Sequence, residues 1–235
     1  MSAIISKLDT QKHKYILMSI LLDISKNDLL KSTLVFKGGT VLFLLYNLDR
    51  FSTDLDLDFD LAGDVNKEII LDEVIIILKK YGEIKDNFIK RNTIFSVLSY
   101  GDIDHNIKIE ISTRGVSGKY GFKNFMGIQL QILDIDYISS NKFIALTARD
   151  KLANRDIYDI HFILKNNLPI NKEYIEIKTG ISFKDYINKM IQFLEKLGNK
   201  HNILDGLGTT LDEKQKIFVK NNLVQETIFL LHSII

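Results

Sequence analysis

The sequence predicts an α+β fold, in which a mixed sheet flanked by helices is followed by a helical half. Two observations predict this order. Between residues 34 and 133, short apolar runs and alternating polar and apolar residues are typical of strands. From residue 136 to the end, apolar residues recur at helical spacing. A chain of 235 residues, 46% of them hydrophobic, can bury the core of one or two domains.

The elements of the first half follow from local patterns. Asp9 or Thr10 could cap the first helix, Asp64 the third, and Gly82 could end the third. Four glycines over residues 115–127 indicate a soft boundary. The predicted elements, in order, are a helix over 10–30, a strand over 34–37, a helix over 40–48, a strand over 54–61, a helix over 66–80, a hairpin with arms 89–100 and 104–112, and a strand over 126–133.

The second half is predicted to be entirely helical. Its predicted helices cover residues 139–152, 156–165, 183–197, 214–222 and 223–235. We therefore expect two domains, with a sheet-containing core over residues 1–135 and a helical domain over residues 136–235. Basic residues modestly outnumber acidic ones in the helical part, which could help to hold a polyanion but would not do so alone.

Composition excludes several classes of protein. The net charge of +1 argues against a charged disordered tail and against strong non-specific nucleic-acid binding, although a local basic groove stays open. The absence of cysteine excludes a disulfide framework, a thiolate metal site and a cysteine nucleophile. The longest uncharged apolar runs are shorter than the ~20 residues of a membrane helix, and no signal-peptide pattern is present. We expect a cytoplasmic protein without a membrane partner.

The strand over 54–61 carries the strongest functional signal. Asp54, Asp56, Asp58 and Asp60 share one face, and like charges at this spacing repel each other unless cations lie between them. A solvated edge strand is one interpretation. An EF-hand loop is excluded because the required glycine and glutamate are not at their positions. A divalent-metal site that handles phosphate is the third interpretation, since carboxylates two residues apart can share Mg²⁺.

A glycine pair upstream favours the metal and phosphate interpretation. Gly38, Gly39 and Thr40 lie between a predicted strand and a predicted helix, where glycine lets the backbone approach a phosphate closely. A lone glycine pair is more often only a turn. The pair followed by a helix and then by Ser52, Asp54 and Asp56 is a much more specific signal.

These motifs resemble the AbiEii/AbiGii toxin family, which comprises nucleotidyltransferase-fold proteins of bacterial toxin–antitoxin and abortive-infection systems. Lys37-Gly38-Gly39-Thr40 and Arg50-Phe51-Ser52-Thr53-Asp54-Leu55-Asp56 are similar to its first signature. Lys142, Arg149 and the stretch Arg155-Asp156-x-x-Asp159 are similar to its second. Ile109-Glu110-Ile111 fits the single acidic residue of its middle motif.

The resemblance implies roles for individual residues. Asp54, Asp56 and Glu110 would hold Mg²⁺, while Lys142 and Asp156 would complete the catalytic set. The nucleotide would be bound by Gly38, Gly39, Thr40, Ser52 and Arg149. Lys142 and Arg149 lie seven residues apart on one predicted helix face, which alone is also typical of a surface stripe. Whether Asp58, Asp60 and Asp159 join the site stays open.

The implied activity is Mg²⁺-dependent transfer of NMP from an NTP to an acceptor. The acceptor would be RNA, particularly a tRNA 3′ end, or a protein hydroxyl, and a cognate antitoxin would be encoded nearby. The active site would lie in the cleft between the core and the helical half. The alternative is a catalytically silent NTP- or RNA-binding module that acts through a protein partner.

Overall fold

The computed structural model describes residues 9–60, 66–101, 106–149, 152–197 and 201–235. The chain divides into two compact units, Met1–Asp134 and Ile135–Ile235. Sheet and helices make up the first unit, whereas the described elements of the second are all helical. The predicted α+β class is confirmed. Within the described ranges, no helix is both long and apolar enough to cross a lipid bilayer.

A mixed seven-stranded sheet forms the first unit. Its order is β3-β4-β5-β2-β1-β7-β6. Strand β2 pairs in parallel with β5, and β1 in parallel with β7, while the other neighbouring pairs are antiparallel. The strands are β1 (Leu34–Lys37), β2 (Leu55–Phe59), β3 (Glu83–Lys90), β4 (Thr93–Ser99), β5 (Asn106–Ser112), β6 (Tyr120–Phe125) and β7 (Ile128–Leu133).

Strict alternation gives the central strands one buried face. Leu55, Leu57, Ile109 and Ile111 are between 0% and 2% exposed, and Asp56 and Glu110 of the same strands are not buried. Successive side chains of a strand point to opposite faces, so this alternation separates an apolar core side from a polar side. The polar side therefore presents the carboxylates that the sequence singled out.

Four helices accompany the sheet among the described residues. They are α1 (Thr10–Lys26), α2 (Asp28–Thr33), α3 (Gly39–Leu45) and α4 (Lys67–Leu78). The single helix expected over 10–30 is wrong, because Asn27 adopts an extended conformation and its side chain caps α2 by accepting the Leu30 N–H. Asn66 caps α4, accepting the Glu68 N–H, whereas the expected cap Asp64 lies outside the described residues.

Two strands were not predicted. The hairpin arm expected over 89–100 begins too early, because β3 ends at Lys90 and β4 begins at Thr93. Four residues of β3 between Glu83 and Asn87 are exposed, so this edge strand lacks the apolar alternation that is typical of a half-buried strand. Residues 115–127, expected to be a soft boundary, contain β6 instead. The expected turn around Asp102 lies outside the described residues.

The second unit contains six described helices: α5 (Ile135–Ala148), α6 (Asn154–Lys165), α7 (Lys172–Thr179), α8 (Phe183–Glu195), α9 (Glu213–Asn221) and α10 (Leu223–His232). Helix α6 packs against α5 and α10. The buried Tyr186 hydroxyl donates to the Phe143 carbonyl at 2.8 Å and so joins α8 to α5. Helix α7 was missed, because Ile175 is its single buried residue and the apolar period is weak.

Candidate active site

The acidic face of β2 separates into two parts. Asp58 is 1% exposed and forms an ion pair with the Lys37 ammonium of β1. Its Oδ2 also accepts hydrogen bonds from the Ser117 N–H and hydroxyl, both at 3.3 Å. A buried carboxylate needs such partners, since its desolvation is otherwise costly. Asp58 is therefore compensated within the fold.

Asp60, the residue after β2, also has a hydrogen-bond partner. The Tyr120 hydroxyl of β6 donates a hydrogen bond to Asp60 Oδ2. That hydrogen bond is the main reason why the pKa of Tyr120 is raised, with burial adding to it. These contacts give Asp58 and Asp60 structural roles, and Asp54 and Asp56 are the candidates for chemistry on this strand.

Asp56 stands in a row of residues that crosses five strands. The sheet register pairs Asp56 with Lys37 on one side and with Glu110 on the other. Neighbouring strands are ~4.8 Å apart, so Asp56 and Glu110 are adjacent on the polar face. Glu110 could act with the aspartates only if its strand lay beside β2, and β5 does lie there. Beyond Glu110, the row continues through Phe95 to Phe88.

Asp54 lies in the loop before β2 and is held there by hydrogen bonds from β5 and α3. The Lys108 N–H of β5 donates to Asp54 Oδ1 at 3.4 Å, and the Thr40 hydroxyl donates to the Asp54 carbonyl. Because the Thr40 proton is used there, the 2.8 Å contact between Thr40 and Ser52 is a hydrogen bond donated by Ser52. Both hydroxyls thus fasten this loop to α3, and their role toward phosphate stays a prediction.

His13 of α1 anchors the same loop. Its Nε2 lies 2.9 Å from the Thr53 carbonyl, and its Nδ1 contacts the Tyr100 hydroxyl. A carbonyl only accepts, so Nε2 carries the proton and Nδ1 accepts from Tyr100. His13 thus has a structural role, and no spacing in the sequence indicates that it holds the residue before Asp54.

The alkaline stability of the protein should depend on Tyr100. Burial, with a smaller contribution from Asp9, raises the pKa of Tyr100 from 10.0 to about 12. Its contribution to stability is therefore complete below pH ~10 and is lost as the pH rises toward ~12. We expect thermal melts of wild type to decline over this window more steeply than those of Tyr100→Phe. The melting temperature of the variant should still decline somewhat, because the pKa of Tyr81 is also raised to about 12. Equal slopes would contradict this role of Tyr100.

Gly38 brings the backbone against Asp56. Its φ is +83°, and a Cβ added there would lie 2.9 Å from the Asp56 Cβ and overlap the carboxylate. Both the conformation and the close approach require glycine. Helix α3 has only seven residues, so the case for a phosphate site here rests on the glycine backbone rather than on a helix dipole.

Gly38→Ala should disturb the carboxylate more than the fold. Gly38 combines φ +83° with ψ −165°, a conformation essentially restricted to glycine that costs roughly 1–3 kcal/mol for alanine, and the added Cβ displaces Asp56. Gly127→Ala is the matched control, since Gly127 also has φ +83° but no atom within 4 Å of an added Cβ. We expect the melting temperature to fall in both variants, more in Gly38→Ala because its added Cβ also overlaps Asp56, and nucleotidyl transfer to be lost in Gly38→Ala alone. Comparable transfer by the two variants would remove Gly38 from the site.

The described residues do not contain a preformed metal cluster. Within them, no three histidine or acidic side chains converge closely enough to ligate an ion. Mg²⁺ is usually bound through one or two carboxylates together with substrate phosphates, rather than by an all-protein cage. One or two of the hard carboxylate donors Asp54, Asp56 and Glu110 fit this mode of binding, in which the nucleotide supplies the remaining ligands.

The second unit contains an ion-pair cluster of its own. Lys142 of α5 lies between two carboxylates of α6, with Nζ 3.1 Å from Asp156 Oδ1 and 2.8 Å from Asp159 Oδ2. Both aspartate side chains are 0% exposed, and that of Lys142 is 12% exposed. Asp159, whose role the sequence left open, thus belongs to the cluster. Asp156 lies in the first turn of α6, which Ala153 caps without a side-chain bond.

Arg149 completes this cluster at its edge. Its Nη1 lies 3.6 Å from Asp156 Oδ2, a buried oxygen with no hydrogen-bond partner among the described residues. The Arg149 side chain is 43% exposed, so the cluster extends to the surface of the helical unit. The contacts of Lys142 and Arg149 with Asp156 exclude a simple surface stripe, and they give both cations a structural role beside any role in nucleotide binding.

The comparison with protein families identifies the chain. The family described as nucleotidyl transferase AbiEii toxin, type IV toxin–antitoxin system, matches residues 19–180. The chain belongs to the AbiEii family. The match covers every candidate residue from Gly38 to Asp159. The protein is accordingly an enzyme of the nucleotidyltransferase class, as the sequence motifs predicted.

Solved structures support the same fold. JHP933 from Helicobacter pylori is 22% identical, with a TM-score of 0.57 and coverage of 97% of this chain and 96% of that one. A candidate nucleotidyltransferase from H. pylori is 20% identical, with a TM-score of 0.56 and coverage of 96% and 97%. These similarities show a nucleotidyltransferase-like fold. A search of curated proteins finds no match.

The candidate residues fall into two groups. In the first unit, the structure brings together Asp54, Asp56, Glu110, Gly38, Gly39, Thr40 and Ser52 around one end of β2. In the second, it brings together Lys142, Arg149, Asp156 and Asp159. That the two groups serve one active site stays a prediction.

Proposed function

We propose that this AbiEii-family toxin transfers NMP from an Mg²⁺-bound NTP to a hydroxyl of an acceptor, either RNA such as a tRNA 3′ end or a protein. The observation that carries the proposal is the adjacency of Asp56 and Glu110 on parallel strands, beside a glycine that lies against the Asp56 carboxylate. Carboxylates next to a close backbone approach suit a polyphosphate held through a metal ion. The family's type IV toxin–antitoxin context supports an antitoxin as partner and a cytoplasmic location.

The aspartates and the loop bind the nucleotide. Asp54 and Asp56, with Glu110, would hold Mg²⁺, which when bound neutralises phosphate charge and orients the triphosphate. The Gly38 and Gly39 backbone would contact the phosphates, while the Ser52 hydroxyl, which donates to Thr40, would hold the loop beside them. The hydrogen bonds of His13 and Thr40 keep the Asp54 loop in one conformation, so little ordering is required when the nucleotide binds.

Glu110 has a second task, as a proton acceptor. The acceptor oxygen attacks the α-phosphorus, the bond from that phosphorus to the β-phosphate oxygen breaks, and pyrophosphate leaves. The hydroxyl must lose its proton in this step, and Glu110 is exposed and adjacent to Asp56. An exposed carboxylate next to the reacting centre is suited to accept it.

Lys142 would contact the nucleotide phosphates. In the helical unit, Asp156 and Asp159 hold its ammonium in a fixed place, and Arg149 lies beside them. A cation fixed in this way stabilises charge on a transferring phosphoryl group without having to reorganise. Arg149, with its exposed guanidinium, would bind a further phosphate oxygen.

Binding of metal and nucleotide should be mutually dependent. Since the described residues lack a three-ligand cluster, we expect Mg²⁺ alone and NTP alone to change the melting temperature little. Together they should raise it by several degrees, because a ligand that binds only the folded state stabilises it. The measurement is a thermal melt with each component, with both, and with both plus EDTA. A full shift from Mg²⁺ alone would contradict the shared mode of binding.

The decisive experiment follows the transfer of a labelled nucleotide to RNA or protein. Purified protein is incubated with each α-labelled NTP, Mg²⁺, total RNA and total protein, and the products are separated by size. We expect Mg²⁺-dependent label in the RNA or the protein fraction and none with Asp56→Asn. Lys184→Ala, an exposed lysine of α8, is the control and should label as wild type does. NTP binding without any label would favour the catalytically silent module.

A further inference from the structure

The row through Asp56 ends in two aromatic residues. Phe95 of β4 pairs with Glu110 in the register, and Phe88 of β3 pairs with Phe95. With strands ~4.8 Å apart, the Phe95 backbone lies about 5 Å from Glu110 and about 10 Å from Asp56. The aromatic pair is therefore one to two strands from the proposed reaction centre, on the same face of the sheet.

The two rings form a stack on the polar face of the sheet. Their centroids are 4.8 Å apart and their planes differ by 22°. This separation matches the strand spacing, as expected for rings on two neighbouring strands, and Phe95 is the ring nearer to β5. Both rings are half-buried, whereas Ile94 and Leu98 on the opposite side of β4 are 1% and 0% exposed. The pair thus lies outside the apolar core.

Basic side chains lie beside the stack. The Lys90 ammonium is 4.4 Å from the centroid of the Phe88 ring. Lys108, two residues before Glu110 on β5, is exposed on the same face. Aromatic faces next to lysines are the usual means by which proteins hold single-stranded nucleic acid, with stacking for the bases and cations for the backbone.

The order of the row indicates which ligand the stack takes. If the proposed function holds, the triphosphate occupies the Gly38 end, so the acceptor lies on the opposite side, next to Glu110. We propose that Phe95, backed by Phe88, stacks against the terminal base of a single-stranded RNA acceptor whose 3′ hydroxyl lies at Glu110. A base and its 3′ hydroxyl are separated by one ribose, a distance comparable to one strand spacing. A protein acceptor has no base to place there.

The test compares variants of the full chain that keep or remove the aromatic ring of Phe95. Phe95→Leu keeps an apolar side chain without a stacking face, and Phe95→Tyr keeps the face. Phe122→Leu, at a 56% exposed aromatic of β6, is the matched control. The substrate is a short single-stranded RNA with a 3′ hydroxyl, with and without its terminal base. Transfer kinetics are measured against RNA and against NTP.

We expect Phe95→Leu to raise the KM for RNA at least about fivefold, in line with the loss of one base–aromatic stack. The KM for NTP should stay within about twofold, and Phe95→Tyr and Phe122→Leu should behave as wild type. Removing the terminal base should raise the RNA KM of wild type by the same factor. It should not raise the RNA KM of Phe95→Leu any further, because the two changes delete the same interaction.

Other outcomes separate this proposal from the proposed function. Wild-type transfer to RNA with an unchanged RNA KM in Phe95→Leu overturns the stacking site and leaves the function intact. A raised KM for NTP instead, or label only in protein, also overturns it. If wild type transfers nothing, the proposed function fails. Binding of the same RNA, measured by fluorescence anisotropy for wild type and Phe95→Leu, then still tests the stacking site. Weaker binding by Phe95→Leu supports the stack, and equal binding overturns it.

Discussion

Asp56→Asn is expected to abolish nucleotidyl transfer and to leave the protein folded. Asparagine keeps the shape of the side chain but removes the charge that would hold Mg²⁺. Loss of a preorganised charge at a transferring phosphoryl group costs roughly 10²–10³ in rate, and loss of the metal adds to it. Removing one of several like charges on β2 should leave stability unchanged or raise it slightly. Transfer of labelled NMP and thermal melts measure the two effects.

Asp58→Asn is the matched control, with the opposite expected outcome. Asp58 is buried and ion-paired with Lys37, so its replacement leaves the ammonium without its partner and weakens the contacts to Ser117. A destabilisation of about 1–3 kcal/mol follows, with transfer largely retained at a temperature where the variant is folded. If Asp58→Asn were inactive but fully stable, the metal site would have to be assigned to Asp58, further along the strand.

Sequence and structure agree best where a pattern is local. The alternation that begins at Asp54 predicts the strand, its buried face and the shared side of the carboxylates, and all three are observed. The sequence could not show which of those carboxylates have structural partners, because these partners are distant in the chain. Lys37 comes from a part of the chain before β2, and Ser117 and Tyr120 come from a part well after it. Only the folded structure brings them to Asp58 and Asp60.

The missed elements share a physical cause. Strand β3 is mostly exposed, every second residue of β6 is exposed, and α7 buries a single residue, so none carries a strong apolar period. Their formation depends on partners, in β3 on the antiparallel pairing with β4. The break at Asn27 was missed for a different reason. Apolar residues continue on both sides of it, and only a side-chain cap divides the two helices.

Sequence motifs also located the helical cluster without revealing how tightly it is built. The spacing of Lys142 and Arg149 indicated one helix face. The complete burial of Asp156 and Asp159 against Lys142 follows from the packing of α5 on α6, which the spacing alone does not specify. This packing changes what a mutation at Lys142 reports, because the ammonium is at once a structural counter-ion and a proposed phosphate ligand.

Lys142→Ala is expected to impair both stability and transfer. It removes the ammonium between two fully buried carboxylates, and Arg149, 3.6 Å from Asp156, stays beside them. Breaking a buried pair by removing one partner costs about 3–5 kcal/mol, which lowers the melting temperature by roughly 10 °C in a chain of this length. A loss of about 10²–10³ in transfer is expected as well. Lys184→Ala, on the exposed face of α8, should change neither quantity.

Two further variants separate the structural role of Lys142 from the catalytic one. Lys142→Arg keeps a cation between the carboxylates, so stability should be largely preserved, while transfer recovers only in part because a planar guanidinium does not replace a compact ammonium at one phosphate oxygen. Combining Lys142→Met with Asp156→Asn and Asp159→Asn removes the cation and both buried charges, and should restore much of the lost stability. If Lys142 binds the nucleotide, this stable variant stays inactive. Transfer near the wild-type rate would restrict the cluster to holding α5 against α6, and would confine nucleotide binding to the residues around β2.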